Sequence, residues 1–290
     1  MICVKLQGGL GNQLFQYATA LALAEFHQTT VSLDLSFLKK QDTGQKYTLR
    51  HFALDLFNIP FEGLTFWDEV ALALRPFPFQ NTAQKVLGTL NKWMIYNETT
   101  LLYNSDIRHK TSKNSYLTGY FQSEYYFHTI ESELRKLLQF KILIPNELSD
   151  KIEQTNSVSL HIRRGDYATN QDVANYHGLC SLHYYQNAAR FIADQQSDLH
   201  FFIFSDEIQW AKQHLKLPFP TYFIEGTEGE DLRLMSLCKF NIIANSSFSW
   251  WGAWLNNNPG KIVIAPENWF ADEKAESQSS TIVPKTWIRL

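Results

Sequence analysis

Two adjacent arginines in the second half of the chain are the residues best suited to chemistry. In the segment HIRRGDY (161–167), Arg163 and Arg164 directly follow an apolar stretch, and Asp166 lies close enough to orient one guanidinium. A guanidinium group stays charged and can bind two phosphate oxygens at once. The motif therefore predicts a phosphate site, and the alternative is an Arg–Asp ion pair on a solvated loop.

A second segment is also suited to binding an anion. NSSFSWWGAWL (245–255) places Asn245, Ser246 and Ser247 where they would cap the start of a helix. The free N–H groups and the dipole at a helix start favour negative charge, so these residues and Phe248 are candidate ligands. The helical spacing of the tryptophans predicts that they belong to the core: Trp250, Trp251 and Trp254.

A glycine-rich turn near the N-terminus allows two interpretations. The turn GGLG (8–11) opens an amphipathic run, so Asn12 and Gln13 are expected to face a cleft with their amides free for hydroxyl groups. The alternative is a dinucleotide-binding turn in which Asp34 would hold a ribose. Against it, the bulky Leu14 stands at the third glycine position, and the arginine motif would be left without a role.

The elements that must position these residues indicate a parallel α/β architecture. Strands at 2–6 and 30–35 flank a helix at 12–27, which predicts a β-α-β unit. Residues 36–145 are predicted to be mostly helical, with the clearest helical period at 124–140.

Beyond a candidate domain boundary at 145/146 the pattern becomes regular. Five strands alternate with helices, and ligands of such sheets bind at the carboxyl ends of the strands. Polar residues follow all five strands, among them Arg163, Asp206 and Asn245. The predicted strands are 157–162, 200–204, 221–224, 240–244 and 261–265, and the predicted helices are 181–194 with Ser181 as N-cap, 207–215, 230–238 and 247–256.

Composition narrows the classes of function. The 290 residues carry a formal net charge of −3, which makes a nucleic acid or another polyanion a poor partner. No apolar run approaches the roughly 20 residues needed to span a bilayer, so we expect a cytoplasmic protein, and peripheral association with the inner face of the membrane stays open. No D-x-D pair or spaced His/Cys/Asp cluster occurs, so we expect cationic side chains, without a metal, to neutralise a diphosphate.

The order of these motifs resembles glycosyltransferase family 11, the α-1,2-fucosyltransferases. The resemblance is carried by GGLGNQLFQYA (8–18), HIRRGDY (161–167), HGLCSLHYY (177–185), FFIFSDEIQW (201–210), NIIANSSFSWWGAWL (241–255) and KIVIAPENWF (261–270). It implies a GT-B-type α/β fold, in which two Rossmann-like domains face each other across a cleft. Residues 1–145 would form the acceptor-side domain and residues 146–290 the GDP-fucose-binding domain.

The resemblance further implies an inverting, metal-independent transfer, with no cofactor, from GDP-β-L-fucose to the 2-hydroxyl of a terminal β-galactoside. Arg163 resembles the arginine that grips the donor β-phosphate and stabilises the leaving diphosphate, and Asn12 resembles the amide that faces the sugar from the N-terminal domain. The resemblance implies donor contacts from His161, Arg164, Asp206, Ser246, Ser247 and Phe248, and the motifs themselves add Asp166 and Asn245 as candidate donor-binding residues.

The sequence identifies the catalytic base and the acceptor sugar less clearly. His177, Asp172 and Asp34 are candidate bases, and a water-mediated base stays open. Acceptor contacts are expected from the 36–145 region and from aromatic residues, namely Trp67, Tyr120, Tyr125 and Tyr126. Two alternatives remain: a GDP-fucose-dependent transferase with a different acceptor, and a sugar-nucleotide-binding protein without turnover.

Overall fold

Two parallel β-sheets frame the computed structural model, which describes residues 1–39, 50–64, 68, 93–141 and 147–290. The N-terminal sheet contains β1 (Ile2–Lys5), β2 (Val31–Asp34), β3 (Met94–Asn97) and β4 (Ser115–Thr118). Its strands are parallel and lie in the order β2-β1-β4-β3. Helix α1 (Leu10–Phe26) joins β1 to β2 and confirms the predicted β-α-β unit.

The prediction that residues 36–145 are mostly helical is wrong for the described part of this region. Besides the short helix α2 (Ser36–Lys39), it contributes β3 and β4, and β4 pairs with the central strand β1. Both strands have only four residues, and in β3 only Tyr96 is buried, so neither shows the period of two that marks a half-buried strand. Their pairing partners lie far away in sequence, so a local pattern cannot reveal them.

The predicted helix at 124–140 is shorter than its periodicity suggests. Two 3₁₀ turns, Glu124–Tyr126 and His128–Ile130, precede helix α3 (Glu131–Leu137). The other described 3₁₀ turns are Leu54–Leu56 and Ser105–Arg108.

The C-terminal sheet has six parallel strands, of which five were predicted. The additional strand, β10, has only two residues and pairs with β9 at the edge of the sheet. The strands are β5 (Asn156–Ile162), β6 (Leu199–Ser205), β7 (Thr221–Phe223), β8 (Phe240–Ile242), β9 (Val263–Ala265) and β10 (Ile288–Arg289), in the order β10-β9-β8-β5-β6-β7.

Helices connect these strands close to the predicted positions. The Ser181 side chain accepts a hydrogen bond from the Tyr184 N–H at 3.1 Å and confirms the predicted N-cap. The described helices of this half are α4 (Glu147–Gln154), α5 (Gly165–Thr169), α6 (Gln171–His177), α7 (Leu182–Ala193), α8 (Ile208–His214), α9 (Glu228–Leu237), α10 (Ser247–Leu255) and α11 (Glu273–Glu276).

The tryptophan-rich helix α10 packs the C-terminal half against the N-terminal half. Its Trp250 and Trp251 are fully buried, as predicted, and their rings lie 4.5 and 5.1 Å from the ring of Phe15 in α1. A Cβ atom on Gly11 would lie 2.4 Å from the Ser247 carbonyl carbon, so the close approach of α1 to the start of α10 requires glycine. One apolar core therefore runs through both halves, and the predicted boundary at 145/146 lies outside the described residues.

No helix among the described residues is long and apolar enough to cross a membrane.

Candidate active site

A cavity of about 670 Å³ opens between the two halves. It lies at the carboxyl ends of strands from both sheets, which is where ligands bind in parallel α/β proteins. Its volume is in the range of sites that hold small organic ligands. Ten of the candidate residues from the sequence line it: Asn12, His161, Arg163, Asp166, His177, Asp206, Asn245, Ser246, Ser247 and Phe248.

Arg163 is held in the cavity by two carboxylates. Its Nη1 lies 2.7 Å from Asp206 Oδ2 and its Nη2 lies 2.5 Å from Asp166 Oδ1. Burial opposes the charge, but Asp206 and Asp166 outweigh it and raise the pKa of Arg163 above its usual value. The guanidinium is therefore a permanent, oriented cation, and only two of its five N–H groups are needed for these contacts.

A second arginine in the cavity comes from the N-terminal half. Arg50 Nη2 lies 3.8 Å from Asp166 Oδ2, so Asp166 stands between Arg50 and Arg163. Arg50 was not a candidate from the sequence, since it belongs to no motif and follows a region without clear periodicity. It reaches the site because the two halves face each other.

Arg164, in contrast, does not line the cavity. Its Nε donates to Glu207 Oε2 at 2.8 Å, and its guanidinium lies 3.7 Å from the centre of the Trp210 ring. Successive side chains of an extended segment point to opposite sides, so the neighbour of Arg163 points away from the site. The expectation that Arg164 helps to bind the phosphate is not supported by this placement.

Two histidines in the cavity are neutral at physiological pH. Burial, followed by the charge of Arg163, lowers the pKa of His161 to about 3, and the His161 ring lies 5.6 Å from the ring of Phe248. Burial lowers the pKa of His177 to about 4, although Asp166 raises it. The His177 ring stacks on Tyr167 at 4.5 Å. Each Nδ1 is buried without a hydrogen-bond partner among the described residues.

The other two candidate bases lie away from the cavity. Asp172 is exposed on α6 and does not line it. Asp34 is buried, and its carboxylate accepts hydrogen bonds from Tyr116 Oη at 2.6 Å and from the Ser36 N–H at 2.8 Å. Asp34 therefore stabilises the end of β2, and the dinucleotide interpretation loses its ribose ligand.

The start of α10 faces the cavity, with Ser246 at the N-cap position. The Ser246 side chain makes no capping bond, contrary to the prediction from its position. The N–H groups of the first turn have no acceptor within a helix that begins at Ser247. Together with Phe248, they form an N-terminus suited to an anion.

Asn245 acts as a brace between two loops of the cavity. Its Nδ2 donates to the carbonyl oxygens of His177 at 2.8 Å and Trp269 at 3.2 Å, and its side chain is buried. Asn245 therefore has a structural role, and its contact with the sugar-nucleotide donor stays a prediction.

The N-terminal glycine turn organises the opposite wall. Gly8 has a φ of 79°, which favours glycine. Contrary to the prediction, the amide of Gln13 is not free: Nε2 donates to the carbonyl oxygen of His51 at 2.7 Å, and Oε1 accepts from the Ala53 N–H at 3.0 Å. Asn12 does line the cavity, and its Oδ1 accepts from Gln122 Nε2 at 2.7 Å.

The aromatic acceptor candidates separate into three groups. Tyr120 lines the cavity. Tyr125 and Tyr126 do not line it: Tyr126 is buried and its hydroxyl accepts from the Asn104 N–H, and Tyr125 packs against Tyr103. Trp67 lies outside the described residues.

A partly buried carboxyl group that the sequence did not single out lies at another part of the cavity wall. Asp231, on α9, has one oxygen, Oδ1, buried without a hydrogen-bond partner among the described residues. Burial, followed by the charge of Glu230, raises the pKa of Asp231 to about 7.

Within the described part of the chain, no three His, Cys, Asp or Glu side chains lie together as a metal site requires. Metal independence stays a prediction.

Comparison with known proteins identifies the same family that the sequence motifs resemble. The model of Glycosyl transferase family 11 matches residues 1–290. An Escherichia coli "Alpha-1,2-colitosyltransferase" is 37% identical over 100% of this chain and 99% of its own length, and the Escherichia coli "O-antigen biosynthesis glycosyltransferase WbnK" is 36% identical over 98% and 99%. "Galactoside 2-alpha-L-fucosyltransferase SEC1" of Bos taurus is 24% identical over 87% of this chain and 63% of its own length.

The fold also matches that of a solved fucosyltransferase. The structure of an Arabidopsis thaliana FUT1 mutant in complex with GDP aligns with a TM-score of 0.50 at 10% identity, covering 98% of this chain and 75% of that chain. This likeness supports the GT-B-type arrangement of two parallel α/β halves around a cleft. Since the family model covers every residue and two relatives share more than a third of their aligned residues with it, the chain belongs to glycosyl transferase family 11.

Proposed function

We propose that the protein transfers L-fucose from GDP-β-L-fucose to the 2-hydroxyl of a terminal β-galactoside, with inversion and without a metal. The family, the α-1,2 linkage named for one Escherichia coli relative and the galactoside named for the bovine relative support this proposal. The observation that carries it is the oriented guanidinium of Arg163, held by Asp166 and Asp206 in the cavity between the two halves.

In the proposed mechanism, Arg163 stabilises the negative charge that develops on the departing GDP. The two carboxylates fix the guanidinium before the donor binds, so no reorganisation is needed when the bond from C1 of the sugar to the phosphate oxygen breaks. Loss of one such oriented donor typically reduces the rate about 10²- to 10³-fold. Arg50 adds a second positive charge from the opposite side, and the N–H groups at the start of α10 add further donors.

His177 is the proposed proton acceptor for the attacking hydroxyl. Of the three candidate bases it is the one that lines the cavity, and its pKa of about 4 keeps the imidazole neutral and able to accept a proton. Because the group titrates near pH 4 in the protein without substrate, kcat/KM should be flat between about pH 5 and 8 and should fall only below that range. A fall in kcat/KM centred between pH 6 and 7 would contradict this assignment.

Asp231 is proposed to contact the guanine base of the donor. The N1–H and 2-amino groups of guanine are adjacent donors, and the Asp231 carboxyl group, which can accept hydrogen bonds from them, lines the same cavity.

A second candidate donor is GDP-colitose, because the relative with 37% identity is a colitosyltransferase. Colitose is fucose without the 3-hydroxyl group, so both donors would use the same diphosphate and nucleotide contacts. The O-antigen relative makes a bacterial surface oligosaccharide the first acceptor class to examine.

The test is release of GDP from each donor in the presence of a panel of β-galactosides, with and without EDTA, followed by determination of the product linkage by NMR. We expect an α-1,2 product and equal rates with EDTA. Transfer to a different hydroxyl would replace the proposed acceptor. If the protein binds the sugar nucleotide but releases no GDP from it in any of these mixtures, a non-catalytic binding protein would be favoured.

A further inference from the structure

A short loop after β4 brings an exposed aromatic side chain into the cavity. The loop contains Gly119, Tyr120, Phe121 and Gln122; Tyr120 and Gln122 line the cavity, and Tyr120 is 39% exposed. Phe121 is fully buried and has a φ of 52°, a left-handed conformation that is unfavourable for a residue with a large side chain. Such a conformation persists only where the surroundings impose it.

Glu98 imposes this conformation from the neighbouring strand. It directly follows β3, and its Oε2 accepts a hydrogen bond from the Tyr120 N–H at 2.7 Å. The Phe121 N–H lies 3.1 Å from both carboxylate oxygens. Burial raises the pKa of Glu98, and the two N–H groups act in the opposite direction. Hydrogen bonds to a charged acceptor are among the stronger ones in proteins, so the carboxylate can hold the strained backbone.

Two further polar groups of the loop are bound by the N-terminal helix. Gln16 Nε2 donates to the Gly119 carbonyl oxygen at 3.0 Å, and Gln122 Nε2 donates to Asn12 Oδ1 at 2.7 Å. Tyr120 is therefore presented by a loop that is fixed at both ends.

A second exposed tyrosine lines the cavity from the C-terminal half. Tyr176, on α6, is 41% exposed, and its ring packs edge-on against Phe270 at 5.1 Å. Large rings in a cavity that are not covered by protein are typical of ligand-binding surfaces. A pyranose presents C–H groups on its faces, which pack against aromatic rings, and its hydroxyl groups suit amides such as that of Gln122.

We infer that Tyr120 and Tyr176 bind the acceptor sugar, and that Glu98 is a positioning residue that holds Tyr120 in place. This inference rests on the proposed function, since it presumes a sugar acceptor in this cavity. Glu98 does not line the cavity and acts only through the loop. The diphosphate-binding residues are on the C-terminal sheet and make no contact with Glu98 among the hydrogen bonds and ion pairs of the described residues.

The experiment separates acceptor binding from donor chemistry. For Glu98→Gln we expect the KM of the acceptor to rise at least tenfold, because the introduced amide N–H₂ faces a backbone N–H. The KM of GDP-fucose and the slow hydrolysis of GDP-fucose without acceptor should stay within twofold of wild type. Glu98→Asp should recover part of the acceptor affinity. Glu124→Gln, a half-buried glutamate of the same half that does not line the cavity, is the matched control and should leave both KM values unchanged.

Variants of the tyrosines test the subsite even if Glu98→Gln does not fold. Tyr120→Ala and Tyr176→Ala should each raise the acceptor KM about tenfold, while Tyr120→Phe, which retains the ring, should stay within threefold.

Acceptor KM values within twofold of wild type for Tyr120→Ala and Tyr176→Ala would overturn the inference, as would equal changes in the donor and acceptor KM for Glu98→Gln. If wild type transfers to an acceptor other than a galactoside, the same constants are measured with that acceptor, and only the proposed function is revised. A wild-type protein that transfers to no acceptor overturns both.

Discussion

The carboxyl ends of the two sheets meet at one cavity but contribute different chemistry. The C-terminal edge carries charge, with Arg163 between Asp166 and Asp206. The N-terminal edge carries mainly glycines, amides and an exposed tyrosine, and its amides mostly bind other loops of the same half. We propose that the C-terminal edge binds the reacting diphosphate, and that the N-terminal edge shapes the acceptor side of the cleft together with Tyr176 of the C-terminal half.

The largest expected effect concerns the charged edge. Arg163→Lys should lower kcat about 10²- to 10³-fold, because a lysine ammonium cannot reproduce the fork held by two carboxylates. The matched control is Arg164→Lys, whose side chain points to Glu207 and Trp210 instead of the cavity and should change kcat less than about threefold. Steady-state kinetics with GDP-fucose measure both. Equal losses in the two variants would remove the distinction between the adjacent arginines.

The next effect concerns the contact between the two edges. Gly11→Ala would place a methyl group 2.4 Å from the Ser247 backbone, and we expect the free energy of unfolding to fall by about 1–3 kcal/mol. Gly63→Ala is the control, since among the described residues, its two chain neighbours aside, no atom lies within 4 Å of the corresponding position. Urea denaturation of both variants makes the comparison. An unchanged midpoint for Gly11→Ala would show that α1 and α10 can separate without loss of stability.

Acid should destabilise the protein because His161, at the C-terminal edge of the cavity, is held neutral in the folded state. His161 has a pKa of about 3 when folded, below the 6.5 of an ordinary histidine, so between these values the unfolded chain binds more protons than the folded one. Stability is therefore lost as pH falls below about 6.5, by on the order of 2 kcal/mol from this group between pH 7 and 5.

A variant isolates this contribution of His161. His161→Gln should lose less stability than wild type over the same pH range, as measured by urea denaturation at pH 7 and pH 5. Other titrating groups, including Asp231, are present in both proteins and cancel in the difference. Parallel losses in the two proteins would contradict the pKa assignment.

The smallest expected effect concerns Arg50, a cation that the N-terminal half contributes to the cavity. Arg50→Gln should lower kcat/KM for GDP-fucose about tenfold, as expected for the loss of one charged contact to a phosphate that keeps Arg163. The acceptor KM should not change. A change confined to the acceptor KM would instead place Arg50 on the acceptor side of the cleft.

The comparison also explains which parts of the fold could be predicted. The inner strands of the C-terminal sheet, β5, β6, β8 and β9, are largely buried on both faces, and continuous apolar runs such as that of β6 identify them. In the N-terminal sheet, β3 and β4 have four residues each, and their place next to β1 depends on pairing with distant residues. The local sequence pattern was sufficient to predict the strands of the C-terminal sheet, but it was not sufficient to predict β3 and β4 of the N-terminal sheet.

The candidate site divides in the same way. Arg163 and Asp206 were found because they follow predicted strands, and His161 was found because its motif resembles that of the family. All three line the cavity. Arg50 and Asp231 were missed, because what distinguishes them is their position in the cavity and, for Asp231, a buried oxygen without a partner among the described residues. Position after a predicted strand suggested donor contacts for Arg164 and Asn245, and only the structure shows that both side chains bind protein groups.

The sequence by itself determined the family, the parallel α/β class and the strand end that carries the arginine motif, because ordered motifs and hydrophobic periodicity are local properties of the chain. Only the tertiary structure decided which arginine faces the cavity, which amides are free and how Glu98 holds Tyr120. Those outcomes depend on the direction of a side chain and on partners up to about a hundred residues away, as with Gln16 and Gly119, which are 103 positions apart.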